Sequence, residues 1–194
     1  MSQPNPLLEK IIPAAEDLIV REHFSVENLC HAVDCSLKDL VGAMGSIDDL
    51  MAVINGRYMD RYIELLKGID VEGKDDSEVL RKAAVAWLDL ALENPKGMHG
   101  LLQHRWAEGY ERPDWYLATV KACFAPFEKR LLKLAPKAKP EMAAGVARGL
   151  YAHICGLYFL STNERAQPAG IDNLRKLLDL HVMILIKGLQ GMQG

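Results

Sequence analysis

Apolar positions recur at helical spacing along this whole chain, while alternating Val/Ile/Thr runs and Asn-Gly hairpin turns are missing. The pattern predicts an all-α protein of about nine helices. The first covers about Leu7 to Glu22, with Pro13 expected in its opening turns because an interior proline costs about 3 kcal/mol. Ser25 is placed to cap a short second helix, Ser36 a third over Leu37 to Ala43, and Ser46 a long fourth reaching about Leu66. Asp48 and Asp49 fall in the first turn of that fourth helix, where its dipole favours anions. Its ridge is Leu50, Ile54, Tyr58 and Tyr62. After a loop over 68–76, Ser77 is expected to cap a helix through Glu93. A shorter helix spans about Gly97 to Ala107. Asp114 to Leu134 follows with a kink expected at Pro126, then Glu141 to Ser161 and Ile171 to about Gln190.

Composition changes this picture little. At 194 residues, 49% hydrophobic and 25% charged, the chain suits one substantial core or two small ones in a soluble protein. No apolar run, Val182 to Ile186 included, approaches the roughly 20 residues that a membrane span needs, so no membrane insertion is expected. Cys30, Cys35, Cys123 and Cys155 form no CxxC pair and no zinc-finger set. They read as free thiols of a cytoplasmic protein.

Catalytic patterns are missing as well. There is no GxSxG, no HExxH and no phosphate loop, since Gly42 to Ser46 lacks the lysine such a loop requires. His99 and His104 stand about 140° apart on a helix, and His153 and Cys155 point to different sides. Neither an enzyme, nor a metal site, nor a cofactor is expected.

Charge is distributed unevenly. Through Leu50 the cations Lys10, Arg21 and Lys38 face nine Asp and Glu residues, a formal charge of −6, whereas the remainder carries +3. Within this acidic end, Ser25 to Leu50 (SVENLCHAVDCSLKDLVGAMGSIDDL) has the spacing of a helix-turn-helix. It resembles the TetR family of bacterial regulators, whose pattern is roughly T-V-x-D-I-A-x-x-A-G-V-S-x-G-T-L-Y-x-H-F-x-S-K-E-x-L. Val26, Leu29, Ser36, Leu40, Ser46 and Leu50 match in kind, Met44 replaces an aromatic residue, and Asn28 and Asp48 stand at acidic positions.

The departures fall on positions that face DNA in the family. Asp39 stands for a threonine that bonds phosphate, Val41 for a tyrosine, Ala43 for a His or Tyr, and Ile47 for a lysine. The loop before the second helix is about three residues shorter, with His23 at its usual glycine. Phosphate contacts supply most nonspecific affinity, and a reader makes about 6–10 of them. The donors available here are Arg21, His23, Ser36, Lys38 and Arg57.

The resemblance implies a helix-turn-helix domain over 1–45 and a ligand-binding and dimerisation domain over 46–194. It also implies a homodimer whose ligand tilts the fourth helix and resets the spacing of two DNA half-sites about 34–36 Å apart. The residues can be read independently. Gly145, Gly149, Ala152 and Gly156 make a smooth stripe that permits close helix approach, and Leu174, Leu178, His181 and Leu185 line the last helix; these are the candidate dimer positions. Candidate pocket residues are Trp87, Met98, His99, Leu102, Gln103, Trp106, Tyr116, Cys123, Phe124, Tyr151 and Cys155. They suit a small apolar ligand. Two other readings stay open: a TetR-fold binder of small molecules or lipids that no longer binds DNA, and a module whose acidic face meets a basic protein.

Overall fold

The computed structural model describes residues 6–21, 23–72, 74–162 and 170–191, with backbone alone for Val20, Lys96, His99, Gln103, Ile171 and Asp172. Among the described residues there are nine helices and no strand: α1 Pro6–Val20, α2 Val26–Val33, α3 Leu37–Met44, α4 Ile47–Lys67, α5 Asp76–Glu93, α6 Pro95–Gln103, α7 Asp114–Leu134, α8 Pro140–Thr162 and α9 Ile171–Gly191. None of them is long and apolar enough to cross a membrane.

Two compact units emerge, Met1–Met59 with Asn94–Leu117, and Asp60–Glu93 with Ala118–Gly194. The unit holding the helix-turn-helix therefore extends beyond residues 1–45. It takes in the start of α4 and the whole of α6. Its core joins Ile11, Ile12, Ala15 and Ile19 of α1 to Leu29, Leu40, Met44, Leu50, Met51 and Ile54. Burying each of the Ile, Leu and Met side chains contributes about 1.5–3 kcal/mol.

Serine caps organise this unit. Ser25 Oγ accepts from Asn28 N at 3.1 Å and Ser36 Oγ from Asp39 N at 3.2 Å. Ser46 and Asp49 bond reciprocally: Asp49 N donates to Ser46 Oγ at 3.0 Å, and Ser46 N to Asp49 Oδ2 at 2.9 Å. This closed capping box satisfies donors that the first turn of α4 leaves open. Gly45, at φ 77°, makes the preceding turn, and a Cβ there would sit 2.7 Å from the Asp49 carboxylate. A side chain at position 45 would meet both backbone strain and a clash.

Three local expectations need correction. Pro13 lies in the interior of α1, which already begins at Pro6. The proline is exposed, so the backbone hydrogen bond it forfeits is on the wet side of the helix. Asp75, not Ser77, caps α5, its Oδ1 accepting from Ser77 N at 2.7 Å. The helix expected to reach Ala107 ends at Gln103, because His104 turns to extended backbone.

The second unit packs α5 against both α8 and α9, which also pack on each other. Leu80, Leu88, Ile154, Leu174 and Leu178 are almost wholly buried at its centre. Arg81 grips Asp179 at 3.0 and 2.7 Å, and Arg175 reaches Asp89 at 2.9 Å. These half-exposed pairs set the register of α9 on α5 more than they stabilise it.

Candidate nucleic-acid interface and sensor core

On the helix-turn-helix, α3 leaves Leu37, Lys38, Asp39, Val41 and Gly42 exposed and turns Leu40 and Met44 inward. Arg21, His23, Lys38 and Arg57 are all exposed, as phosphate donors must be. Arg57 stands 4.0 Å from Glu9, a screened surface pair that it can leave at little cost. Ser36 is different. Its hydroxyl donates to Asp39 Oδ2 at 2.5 Å while accepting from Asp39 N, so its hydrogen is already committed. A groove of about 770 Å³ runs along α2 and α3, lined in part by Glu27, Asp34 and Asp39. Three carboxylates in one groove repel a phosphate backbone.

The segment after α6 binds the start of α4 in the same unit. Asp48, buried at 8% exposure, takes His104 Nε2 at 2.6 Å on one oxygen and Ala107 N at 3.4 Å on the other. Asp49 Oδ1 accepts the Tyr110 hydroxyl at 2.8 Å. Its bonds from Ser46 hold the Asp49 carboxyl below the ordinary carboxylate value, and burial beside Asp49 pushes the Tyr110 phenol up to about 12. Trp106 stacks on Tyr110 at 5.5 Å with planes 3° apart and meets Tyr116 edge-on at 5.4 Å. A few residues on, the ring of Trp115 lies against α4 where Gly56 makes room for it.

This geometry divides the expected pocket residues. Trp106, Tyr116, Met98 and the 39%-exposed Leu102 belong to the first unit, and Met98 accepts a hydrogen bond from Tyr58 at 3.7 Å. Side chains of His99 and Gln103 lie outside the described residues. In the second unit, Trp87 contacts Tyr62 at 4.1 Å, Tyr151 at 4.8 Å and Phe124 at 6.0 Å. Cys123 is fully buried there, and burial pushes its thiol up to about 12. Burial also raises the Cys155 thiol above its ordinary value. Trp87 Nε1 is buried without a hydrogen-bond partner, a cost of about 1–3 kcal/mol that a ligand acceptor could relieve.

Sequence reasoning missed a second-unit cavity of about 290 Å³, lined mainly by Ile63, Leu66, Leu80, Ala83, Ala122, Pro126 and Phe127. Arg130 at its edge is held by Asp76 at 2.6 Å. Phe127 in its wall stacks on Tyr62 at 6.4 Å, and Tyr62 touches Trp87. No local pattern marks it, because its walls come from three helices, α4, α5 and α7.

The dimer candidates also divide. Gly145, Gly149, Ala152 and Gly156 are exposed, and nothing stands within 4 Å of a Cβ built on any of the three glycines. Leu174 and Leu178 are fully buried inside the protomer. The outward face of α9 is Leu177, Leu180, Met183 and Ile184, each 42–53% exposed, with Leu185 partly buried. His181 pairs with His153 of α8 through Nδ1 and Nε2.

No protein-family model matches the sequence, and no curated protein matches it. Solved structures do resemble the chain. A TetR-like transcriptional regulator from Rhodococcus sp. RHA1 superposes at a TM-score of 0.64 and 18% identity, covering 96% of this chain and 100% of the other. A TetR variant from Acinetobacter baumannii AYE, in complex with minocycline, gives 0.65 and 14% over 95% and 96%. A TetR/AcrR-family transcriptional regulator from Aquifex aeolicus VF5 gives 0.59 and 17% over 92% and 99%. Across nearly its whole length, the chain has the all-α fold of the TetR-type regulators.

Proposed function

We propose that this protein is a homodimeric, ligand-responsive transcriptional regulator of TetR type, a repressor whose grip on duplex DNA is electrostatically weak. The helix-turn-helix carries this reading. Both of its helices are capped, its turn is complete, and α3 presents its outer face unobstructed. A unit of this kind reads the major groove through its second helix. The weakness follows from Asp39, Glu27 and Asp34 beside that helix, and from the commitment of the Ser36 hydroxyl.

The ligand is a small, largely apolar molecule held in the second unit, by the cavity walled by Phe127 and by the aromatic group around Trp87. A fold neighbour is seen with minocycline. Pairing of two copies uses the bare stripe of α8 and the leucine-rich outer face of α9. A gel shift at low salt, with duplex from upstream of the protein's own gene, tests the DNA reading. Retardation that weakens as salt rises supports it. No retardation at micromolar protein overturns it and leaves the second reading, a ligand-binding protein without DNA function, which the three carboxylates of the groove favour.

A further inference from the structure

The last turn of α2 brings together two thiols that stand five positions apart in the sequence, a spacing that a continuous helix would put on different sides. Asp34 adopts the left-handed conformation at φ 52° and ψ 55°. Cys35 N then donates to Cys30 O at 3.1 Å and Asp34 N to His31 O at 3.4 Å. This pair of bonds closes a helix so that the residue after the left-handed one folds back over the residue five earlier. In most helices that contact is hydrophobic. Here the two positions are Cys30 and Cys35, both packed against the core of the unit and both lining one groove.

Both cysteines are partly exposed and line the open groove of about 770 Å³, so a small reagent has access. The backbone bond holds them within the few ångströms that a disulfide spans. The other two cysteines differ. Cys123 is fully buried, and Cys155 packs beside Tyr151 in the second unit.

We infer that Cys30 and Cys35 form a dithiol modification site, which closes to an intramolecular disulfide by exchange with a low-molecular-weight disulfide. One protein thiolate attacks the small disulfide, forms a mixed disulfide and releases one small thiolate. The second cysteine, as its thiolate, then attacks the protein sulfur of that mixed disulfide and expels the other. One S–S bond breaks in the reagent and one forms in the protein. Two electrons pass to the reagent, and the two protein protons leave with the released thiols. Burial, Cys30 and the carboxylates of Asp39 and Asp34 raise the Cys35 thiol above its ordinary value, so exchange is slow at neutral pH and quickens as pH rises. The site does not depend on whether the protein binds DNA.

The test incubates the full chain with glutathione disulfide, alkylates the remaining thiols after denaturation, and maps the peptides by mass. The expected result is a fall from four alkylatable cysteines to two. A Cys30–Cys35 cross-link should form within one chain and be reversed by dithiothreitol. Cys30→Ser and Cys35→Ser should each stop at a single mixed disulfide, while a Cys123→Ala/Cys155→Ala protein closes like the parent. Four free thiols, a stable mixed disulfide on the parent chain, or a link between chains would each overturn the proposal. Mapping of the parent chain decides the matter even if a variant folds poorly.

Discussion

His104 Nε2 lies 2.6 Å from Asp48 Oδ1, with 14% and 11% of their side chains exposed. The first acidic residue of α4 is therefore not only a favourable charge at a helix start. It anchors the chain that leaves α6, and Asp49 beside it anchors Tyr110. A movement of the 104–110 segment must pull on the first turn of α4, next to the helix-turn-helix.

Replacing His104 by Ala strands the Asp48 carboxylate in a nearly dry site. The expected cost is on the order of 1–3 kcal/mol, read by urea denaturation. The double variant His104→Ala/Asp48→Asn should recover part of the loss, as coupled neighbours do. Strictly additive losses would show that the two side chains do not interact.

Tyr110 sets an alkaline dependence. Its phenol is pushed up to about 12 by burial and by Asp49, whereas an unfolded tyrosine titrates near 10. The folded state thus holds the proton more tightly. Its contribution is fully present below about pH 10 and is lost as pH rises from about 10 to about 12. Melting curves across that window should fall less steeply for Tyr110→Phe than for the parent. On the acid side, Asp49 is depressed by its bonds from Ser46. That contribution is present above the ordinary aspartate value, near 3.9, and is lost as pH falls below it. Identical slopes in Tyr110→Phe and the parent would remove the alkaline argument.

The helix count and the serine caps at Ser25, Ser36 and Ser46 were legible because they depend on neighbours three or four residues away. Pro13 was misplaced because a proline on a wet helix face costs less than one inside a core. The end of α6 was missed because the partner that His104 takes there, Asp48, is more than fifty residues distant in the chain. The pocket residues divided for a similar reason: aromatic identity says that a ring is buried but not which unit buries it. On α9, Leu174 and Leu178 share one helical face with Leu185, and the sequence does not say which face the protomer keeps. The Cys30–Cys35 contact needed the left-handed Asp34, a conformation expected of Gly or Asn.

A bare stripe on α8 gives a prediction whose sign depends on assembly. Gly149→Ala meets nothing within 4 Å in the protomer, so helix propensity alone stabilises by up to about 1 kcal/mol. Where a second copy packs on the stripe, the same methyl weakens association. Leu180→Glu with Ile184→Glu, both replacing half-exposed side chains, should convert the proposed dimer to a folded monomer in sedimentation. A parent that already sediments as a monomer would rule out the α8/α9 pairing.

Cavity filling tests the proposed ligand site. Ala83 is buried and faces the 290 Å³ space, so Ala83→Leu should occupy part of it with little strain. Anilinonaphthalene sulfonate, used as an apolar probe, should bind the parent and change its tryptophan emission. The Leu variant should bind about tenfold more weakly, a difference of about 1.4 kcal/mol, with its circular dichroism unchanged. Equal binding would place the probe elsewhere.

On the proposed reading, Asp39 decides how strongly α3 meets a phosphate backbone. It is exposed, and besides repelling phosphate it occupies the Ser36 hydroxyl at 2.5 Å. Asp39→Asn keeps a hydrogen-bonding side chain and removes the repulsion, so low-salt affinity should rise without a change in salt slope. Asp39→Lys adds a donor as well. Each new phosphate contact steepens the dependence of log K on log salt by about 0.9 on duplex DNA, so the Lys variant should differ from the Asn variant in slope as well as in affinity. Fluorescence anisotropy with the upstream duplex over a salt series separates the two effects. If neither variant binds more tightly than the parent at low salt, α3 is not the surface that touches DNA.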